Sequence, residues 1–154
     1  MRTDIRTSWE AVYRAEGPRL WRALLLLSGN PEVASDAMAE AFAQGVARGD
    51  SVRAPGAWIW KAAFMIARGE MQRQGEQPLP DRLVNDPSND EVVDVLRALS
   101  TLPPMQRASV VMHYYAGYSL SETASLLGSS RSAIGVHLFR ARARLRRDLG
   151  DDYA

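Results

Sequence analysis

Between Tyr118 and Leu149 the chain has little conformational choice. Ser119-Leu120-Ser121-Glu122 has capping-box spacing: the Ser119 hydroxyl can accept from the Glu122 N–H while the Glu122 carboxylate reaches back to the Ser119 N–H. The helix so started runs through Leu126 and Leu127 and stops at Gly128, the residue type that takes a left-handed conformation just past a helix end. Ser130 then offers a second cap, opening a helix from Arg131 to about Asp148. Two helices joined by a glycine-containing turn are the signature of a helix-turn-helix, whose second helix enters the DNA major groove.

The faces of that second helix separate by period. Ile134, Leu138, Ala141 and Leu145 fall within a narrow arc and are expected to pack on the helices before it. Ser132, Val136, Phe139 and Arg140 point roughly away, towards a groove. The candidate contacts to an upstream duplex are therefore Ser130, Arg131, Ser132, Val136, His137, Phe139, Arg140 and Arg144. Arg140, Arg142, Arg144, Arg146 and Arg147 surround the C-terminal half, a composition suited to phosphates, which position a protein without reading sequence. The plainer alternative is a solvated helix end whose cations favour the macrodipole; beside a helix-turn-helix, DNA is the expectation. Gly135 lowers the stability of this helix by about 1 kcal/mol relative to alanine.

A net charge of +1 looks poor for a nucleic-acid binder, but the distribution is uneven. Residues 75–91 set Arg82 against Glu76, Asp81, Asp86, Asp90 and Glu91, a net of −4 that leaves +5 for the rest. The same stretch holds Gly75, Pro78, Pro80 and Pro87 and no apolar period, so it reads as a flexible acidic linker between domains at 1–74 and 92–154. The 154 residues are enough for two small helical domains, and 46% hydrophobic content is in the globular range. With no cysteine there is no disulfide or thiolate site. The longest aliphatic run, Leu24 to Leu27, is too short to span a bilayer, and no basic-then-apolar leader opens the chain, so a cytoplasmic protein is expected.

In the first domain, Thr7-Ser8-Trp9-Glu10 can cap a helix carrying Trp9, Val12 and Tyr13, which Gly17-Pro18 interrupts or kinks before an apolar continuation from Leu20 to Leu27. Asn30-Pro31 is a cap followed by an N1 proline. The helix it starts, to about Arg48, buries a stripe of Val33, Ala34, Ala37, Met38, Ala41, Phe42 and Val46. Glu32, Asp36 and Glu40 stand four residues apart on another face: either a solvated face or an acidic docking strip for a basic partner. After a loop from Gly49 to Arg53, Pro55 starts a helix to about Gln74. There Trp58, Ile59, Ala62 and Ile66 read as core, while Trp60, Lys61, Phe64, Arg68 and Met71 fall broadly on the other side. Aromatics interleaved with cations suit stacked bases and their phosphates; the alternative is that another helix covers Trp60 and Phe64. In the second domain Val92, Val93, Leu96 and Leu99 form a short helix, and Val110, Val111 and Tyr114 are expected core on the helix from Met105 to about Ala116.

Four blocks then coincide in order and spacing: Leu102-Pro103-Pro104-Met105-Gln106-Arg107, Tyr114-Tyr115-Ala116-Gly117-Tyr118-Ser119, Glu122-Thr123-Ala124-Ser125-Leu126-Leu127-Gly128 and Arg140-Ala141-Arg142-Ala143-Arg144-Leu145. Together they resemble region four of a bacterial RNA polymerase sigma factor of the small, two-domain extracytoplasmic-function type. The resemblance covers nearly the whole chain. It implies an all-α fold of two helical domains, region four binding the minus-thirty-five element and region two the minus-ten element. Glu32 to Phe42 is similar to the helix that docks on core RNA polymerase, implicating Glu32, Asp36 and Glu40. Ala57 to Ala63 is similar to the helix facing the minus-ten strand, implicating Trp60, Lys61, Phe64 and Arg68, with Arg53 in the preceding loop. An anti-sigma protein is a partner implied by resemblance alone.

The chain departs from the family pattern at Gly135, often lysine, at His137, often arginine, and in the thin basic cluster after the minus-ten helix, where Arg68 and Arg73 stand almost alone. Two other readings therefore stay open: a sigma-like interaction protein with degenerate DNA recognition, and a free-standing helix-turn-helix repressor. An enzyme is not expected. His113 and His137 are the only histidines, and no Gly-rich phosphate loop, metal-ligand cluster or cofactor motif is present, so no cofactor or small-molecule substrate is expected.

Overall fold

The computed structural model describes residues 5–74 and 77–150, and every regular element among them is helical. The chain divides into two compact units, Met1–Gln77 and Pro78–Ala154.

The first unit packs three helices, α1 (Ile5–Ser28), α2 (Pro31–Arg48) and α3 (Pro55–Gln74), each against the other two. Helix α1 already includes Ile5, so Thr7 lies inside it and not at a cap, and Pro18 does not break it. Pro18 is on an exposed face, where a carbonyl deprived of its donor can be met by water, and the buried run of Leu20, Leu24 and Leu27 beyond it holds the helix through the site. The turn into α2 is chemical in origin: Gly29 takes φ 66°, and the Asn30 side chain accepts from the Glu32 and Val33 N–H groups at 2.9 and 3.4 Å. Helix α2 buries Val33, Ala34, Ala37, Ala41 and Gly45, small residues that let its neighbours approach; Val46, expected in the stripe, is exposed. Trp9 lies edge-on to Phe42 and Trp58, and closes over Gly45 so tightly that a Cβ there would come within 2.7 Å of the indole.

The face that α3 buries differs from the expected one. Ile59, Trp60, Ala63, Phe64 and Ala67 are core, whereas Trp58, Ala62 and Ile66 are only half-buried. The helix is apolar almost all round between Trp58 and Ile66, so its own sequence does not choose a face; packing of α1 and α2 against it does.

The second unit contains α4 (Asp81–Val84), a 3-10 turn (Pro87–Asn89), α5 (Asp90–Ser100), α6 (Pro104–Val110), α7 (Leu120–Leu127) and α8 (Arg131–Leu149). Much of the stretch read as linker is thus helical. Its α4 and 3-10 turn pack on α5, Asp86 caps the turn by accepting from the Ser88 N–H at 3.0 Å, and Asn89 Nδ2 donates to the Leu83 carbonyl at 3.3 Å. Gly75 and Glu76 lie outside the described residues. The core gathers Val93, Leu96 and Leu99 with Leu102, Ala108, Val111, Met112, Ala124, Leu127, Ile134, Leu138 and Ala141.

Helix α6 ends in a π-helical turn, Val111–Tyr115, in which the Ala116 N–H reaches the Val111 carbonyl at 2.9 Å. The wider turn shifts the helical register, and Tyr114, expected in the core, is 52% exposed. His113 Nδ1 lies 2.7 Å from the Tyr118 carbonyl and so carries the proton of that bond, tying the π turn to the entry of α7.

Candidate nucleic-acid and docking interfaces

The helix-turn-helix is built by local chemistry. Both bonds of the capping box are made: Ser119 N–H to Glu122 Oε1 at 3.0 Å and Glu122 N–H to Ser119 Oγ at 3.0 Å. The Ser119 backbone N–H first, and the Ser119 hydroxyl second, hold the Glu122 carboxyl below its ordinary pKa. Helix α7 ends where Gly128 takes φ 63°, with the Ser129 N–H closing on the Ala124 carbonyl at 2.9 Å. Ser130 Oγ then accepts from the Ala133 N–H at 3.1 Å and starts α8.

Burial of Ile134, Leu138 and Ala141 fixes the rotation of α8. The opposite face is open. Ser130, Arg131, Ser132 and Arg140 are exposed, Val136 is 46% exposed and Phe139 68%, and His137 is half-buried beside them. The arginines divide into two kinds. Arg140, Arg146 and Arg147 are exposed. Arg142 Nη1 donates to the Tyr114 hydroxyl at 2.7 Å, and Arg144 Nη1 to the Thr101 carbonyl at 2.8 Å. Thr101 in turn donates its hydroxyl to Asp148 Oδ2 at 3.0 Å. Arg144, expected among the outward contacts, is therefore half-buried and engaged with the end of α5. Sequence reasoning missed Tyr114 as a partner of Arg142, because the π turn that turns it outward leaves no clear mark in the residue pattern.

In the first unit, Trp60 and Phe64 are not available as a stacking platform: they are 5% and 0% exposed. Trp60 Nε1 donates to Glu16 Oε2 at 2.9 Å, and the Arg19 guanidinium stands 5.0 Å from its ring centre. The indole is thus satisfied inside the unit, which is the alternative the sequence left open. Lys61 stays exposed on the outward face of α3 together with Met65, which is 58% exposed and fills the position one turn beyond Lys61, while Arg68 is half-buried at the edge of that face. Arg53 is exposed in the loop before α3.

Glu32, Asp36 and Glu40 are all exposed along one side of α2. Asp36 and Glu40 border a shallow groove between α2 and α3 that Ile66, Glu70 and Arg73 also line. Glu70 pairs with Arg73 and adds a fourth carboxylate beside the strip. The sequence hid it, because Glu70 lies thirty positions beyond Glu40 on a different helix. Among the described residues no cluster of histidine, aspartate or glutamate is arranged to hold a metal ion.

The family described as "Sigma-70, region 4" matches residues 93–145, the helix-turn-helix and the helices before it. The ECF RNA polymerase sigma factor SigM of Mycobacterium tuberculosis is 29% identical over 94% of this chain and 79% of its own length. The ECF RNA polymerase sigma factor SigE of Mycolicibacterium smegmatis is 29% identical over 90% of this chain and 60% of its own. Among solved structures, the sigma factor RpoE in complex with the anti-sigma factor NepR, from Bartonella quintana, superposes with a TM-score of 0.74 at 21% identity, covering 94% of this chain and 98% of that one. That likeness establishes the all-helical architecture.

Proposed function

We propose how this chain, which belongs to the extracytoplasmic-function RNA polymerase sigma factors, divides its work between its two units. As a sigma factor it directs RNA polymerase to specific promoters and initiates transcription. It is not itself the catalyst: the polymerase forms the phosphodiester bonds, and the chain works where the polymerase is, in the cytoplasm. No described helix is long and apolar enough to cross a membrane.

The exposed face of α8, set by a fully capped helix-turn-helix, carries this reading. Its N-terminal turns, Ser130 to Phe139, enter the upstream major groove, and the exposed Arg140, Arg146 and Arg147 hold phosphates beyond it. The carboxylates of Glu32, Asp36 and Glu40 dock on a basic surface of core polymerase, with Glu70 beside them. Lys61 and Arg68, with Arg53 in the preceding loop, meet the phosphates of the minus-ten strand. Trp60 and Phe64 leave that contact set and serve the core behind it. Tethering two modest DNA contacts through one chain raises the effective concentration of the second once the first is made, so neither needs to be tight alone. An anti-sigma protein, the class of partner bound to RpoE in the solved complex, is the controlling partner in this reading.

Run-off transcription with core polymerase on a promoter library tests it. The expected result is promoter-selective transcript that requires this chain. Core polymerase binding with no selective transcript on any member of the library sinks it in favour of a sigma-like interaction protein.

A further inference from the structure

We infer that Val136, Phe139 and the open backbone at Gly135 form a thymine-methyl reader, so that the upstream duplex this chain selects carries thymine where α8 faces its base edges. The inference rests on α8 lying in the major groove.

Three observations converge on it. Phe139 and Val136 are among the most exposed large apolar side chains of the second unit, and they stand one turn apart on the face opposite Ile134, Leu138 and Ala141. Exposing a phenyl ring to water contributes nothing to folding, so a surface of this kind signals a ligand with an apolar group of its own. Next, Arg131 on the first turn is the one guanidinium at the start of α8; from Ser132 to Phe139 the outward face has no guanidinium or ammonium to make a bidentate contact with guanine, and Arg140 comes only after Phe139. Finally, a Cβ added at Gly135 would meet nothing within 4 Å. The packing does not require glycine there, although glycine weakens a helix. What glycine does leave is a gap beside Val136, one turn before Phe139, where a base edge can approach the backbone closely.

Among the four bases only thymine presents a methyl group in the major groove, and apolar side chains are its natural partners. The groove offers that methyl a surface built of Cβ, Cγ and ring carbon on one side and free space on the other. Specificity at this step is then carried by shape and burial, and the phosphate-binding arginines set register without influencing it.

The test uses the holoenzyme. Duplexes randomised across the upstream element are selected by the chain bound to core polymerase, and selected thymines are replaced one at a time by deoxyuridine, which removes only the methyl. The expected outcome is enrichment of thymine at one or two adjacent positions and a loss of about four-fold in affinity per contacted methyl on conversion to deoxyuridine. Val136→Ala and Phe139→Ala holoenzymes should bind the thymine duplex more weakly and lose the difference between thymine and deoxyuridine. Gly135→Ala should fold and assemble but show a reduced thymine preference. Selection of a defined element without thymine enrichment, or equal affinity of wild-type holoenzyme for thymine and deoxyuridine duplexes, overturns the inference while leaving the sigma-factor reading intact. Promoter binding with no dependence on the upstream element overturns the placement of α8 as well.

Discussion

The indole Nε1 of Trp60 donates to Glu16 Oε2 at 2.9 Å, joining α3 to α1 across 44 residues of chain. The ring is 5% exposed whereas the adjacent Lys61 is exposed: the roughly 100° between successive residues of a helix is enough to put one in the core and the other on the surface. Trp60→Ala should therefore lower unfolding free energy by about 3–5 kcal/mol, the cost of a large aromatic cavity. Lys61→Ala should change it by less than about 0.5 kcal/mol while weakening promoter opening. Urea titration read by tryptophan fluorescence separates the two, since Trp9, Trp21, Trp58 and Trp60 all lie in the first unit. A Trp60→Ala chain as stable as the wild type would return that side chain to the DNA face.

Arg140 and Arg144 are four residues apart on α8 and should answer mutation differently. Arg140 is exposed, while Arg144 donates to the Thr101 carbonyl at 2.8 Å. Arg140→Ala should weaken promoter binding uniformly across sequences and reduce the salt slope of holoenzyme binding by roughly one, with the melting temperature unchanged. Arg144→Ala should cost about 1 kcal/mol of stability in the second unit through its lost bond, and change the salt slope less. Salt titrations of promoter affinity paired with circular-dichroism melts read both. Equal slopes lost for the two variants would argue that Arg144 leaves Thr101 for a phosphate on DNA.

The capping box makes the second unit sensitive to acid. Glu122 accepts from the Ser119 N–H and from its own side of the box engages the Ser119 hydroxyl, and its pKa is lowered from the ordinary 4.5, the backbone bond contributing most. A carboxylate held below its unfolded value contributes stability that is fully present above that value and is lost as pH falls through the lowered one. The wild type should therefore lose melting temperature faster than Glu122→Gln as pH drops below 4.5, and the two should run parallel above it. A difference between them that is constant from neutral pH to acid would remove the carboxylate's charge from the account. Asp86, lowered by the Ser88 side chain first and its backbone N–H second, adds a contribution of the same sign in both proteins.

What the sequence made legible was what neighbouring residues settle among themselves. Asn30 before Pro31, Ser119 with Glu122, Gly128 and Ser130 all mark helix ends within a few positions, because each cap is made by a side chain a turn away from the groups it satisfies. The burial of Ile134, Leu138 and Ala141 followed from a clean helical period, from which Val136 and Phe139 stand apart. The face of α3 did not follow, because apolar residues surround that helix and the approach of α1 and α2, with Glu16 and Arg19 of α1 meeting the indole, selects the Trp60 side. Tyr114 was misplaced for a different reason: a π turn displaces every later residue of its helix by part of a turn, and no residue type announces it. Continuity of α1 through Pro18 is likewise a tertiary result, since the local cost of proline is offset by the leucines buried beyond it.

Two glycines in helix interiors should respond to alanine with opposite signs. At Gly45 on α2, a Cβ would lie 2.7–2.9 Å from three carbons of the Trp9 six-membered ring. That ring is 4% exposed and pinned edge-on to Phe42 and Trp58, so it has no free direction in which to yield. Gly45→Ala gains helix propensity but forces the ring, and overpacking of this kind costs about 1–3 kcal/mol. At Gly135 on α8 the same methyl meets nothing within 4 Å. There only the propensity term acts, and Gly135→Ala should stabilise the second unit by about 1 kcal/mol. Tryptophan fluorescence reads the first substitution and far-ultraviolet circular dichroism the second. A stabilised Gly135→Ala protein that discriminates thymine from deoxyuridine less well than the wild type would separate the two roles of that position, since a change that helps the helix and hurts recognition places the glycine in service of the duplex and not of the fold.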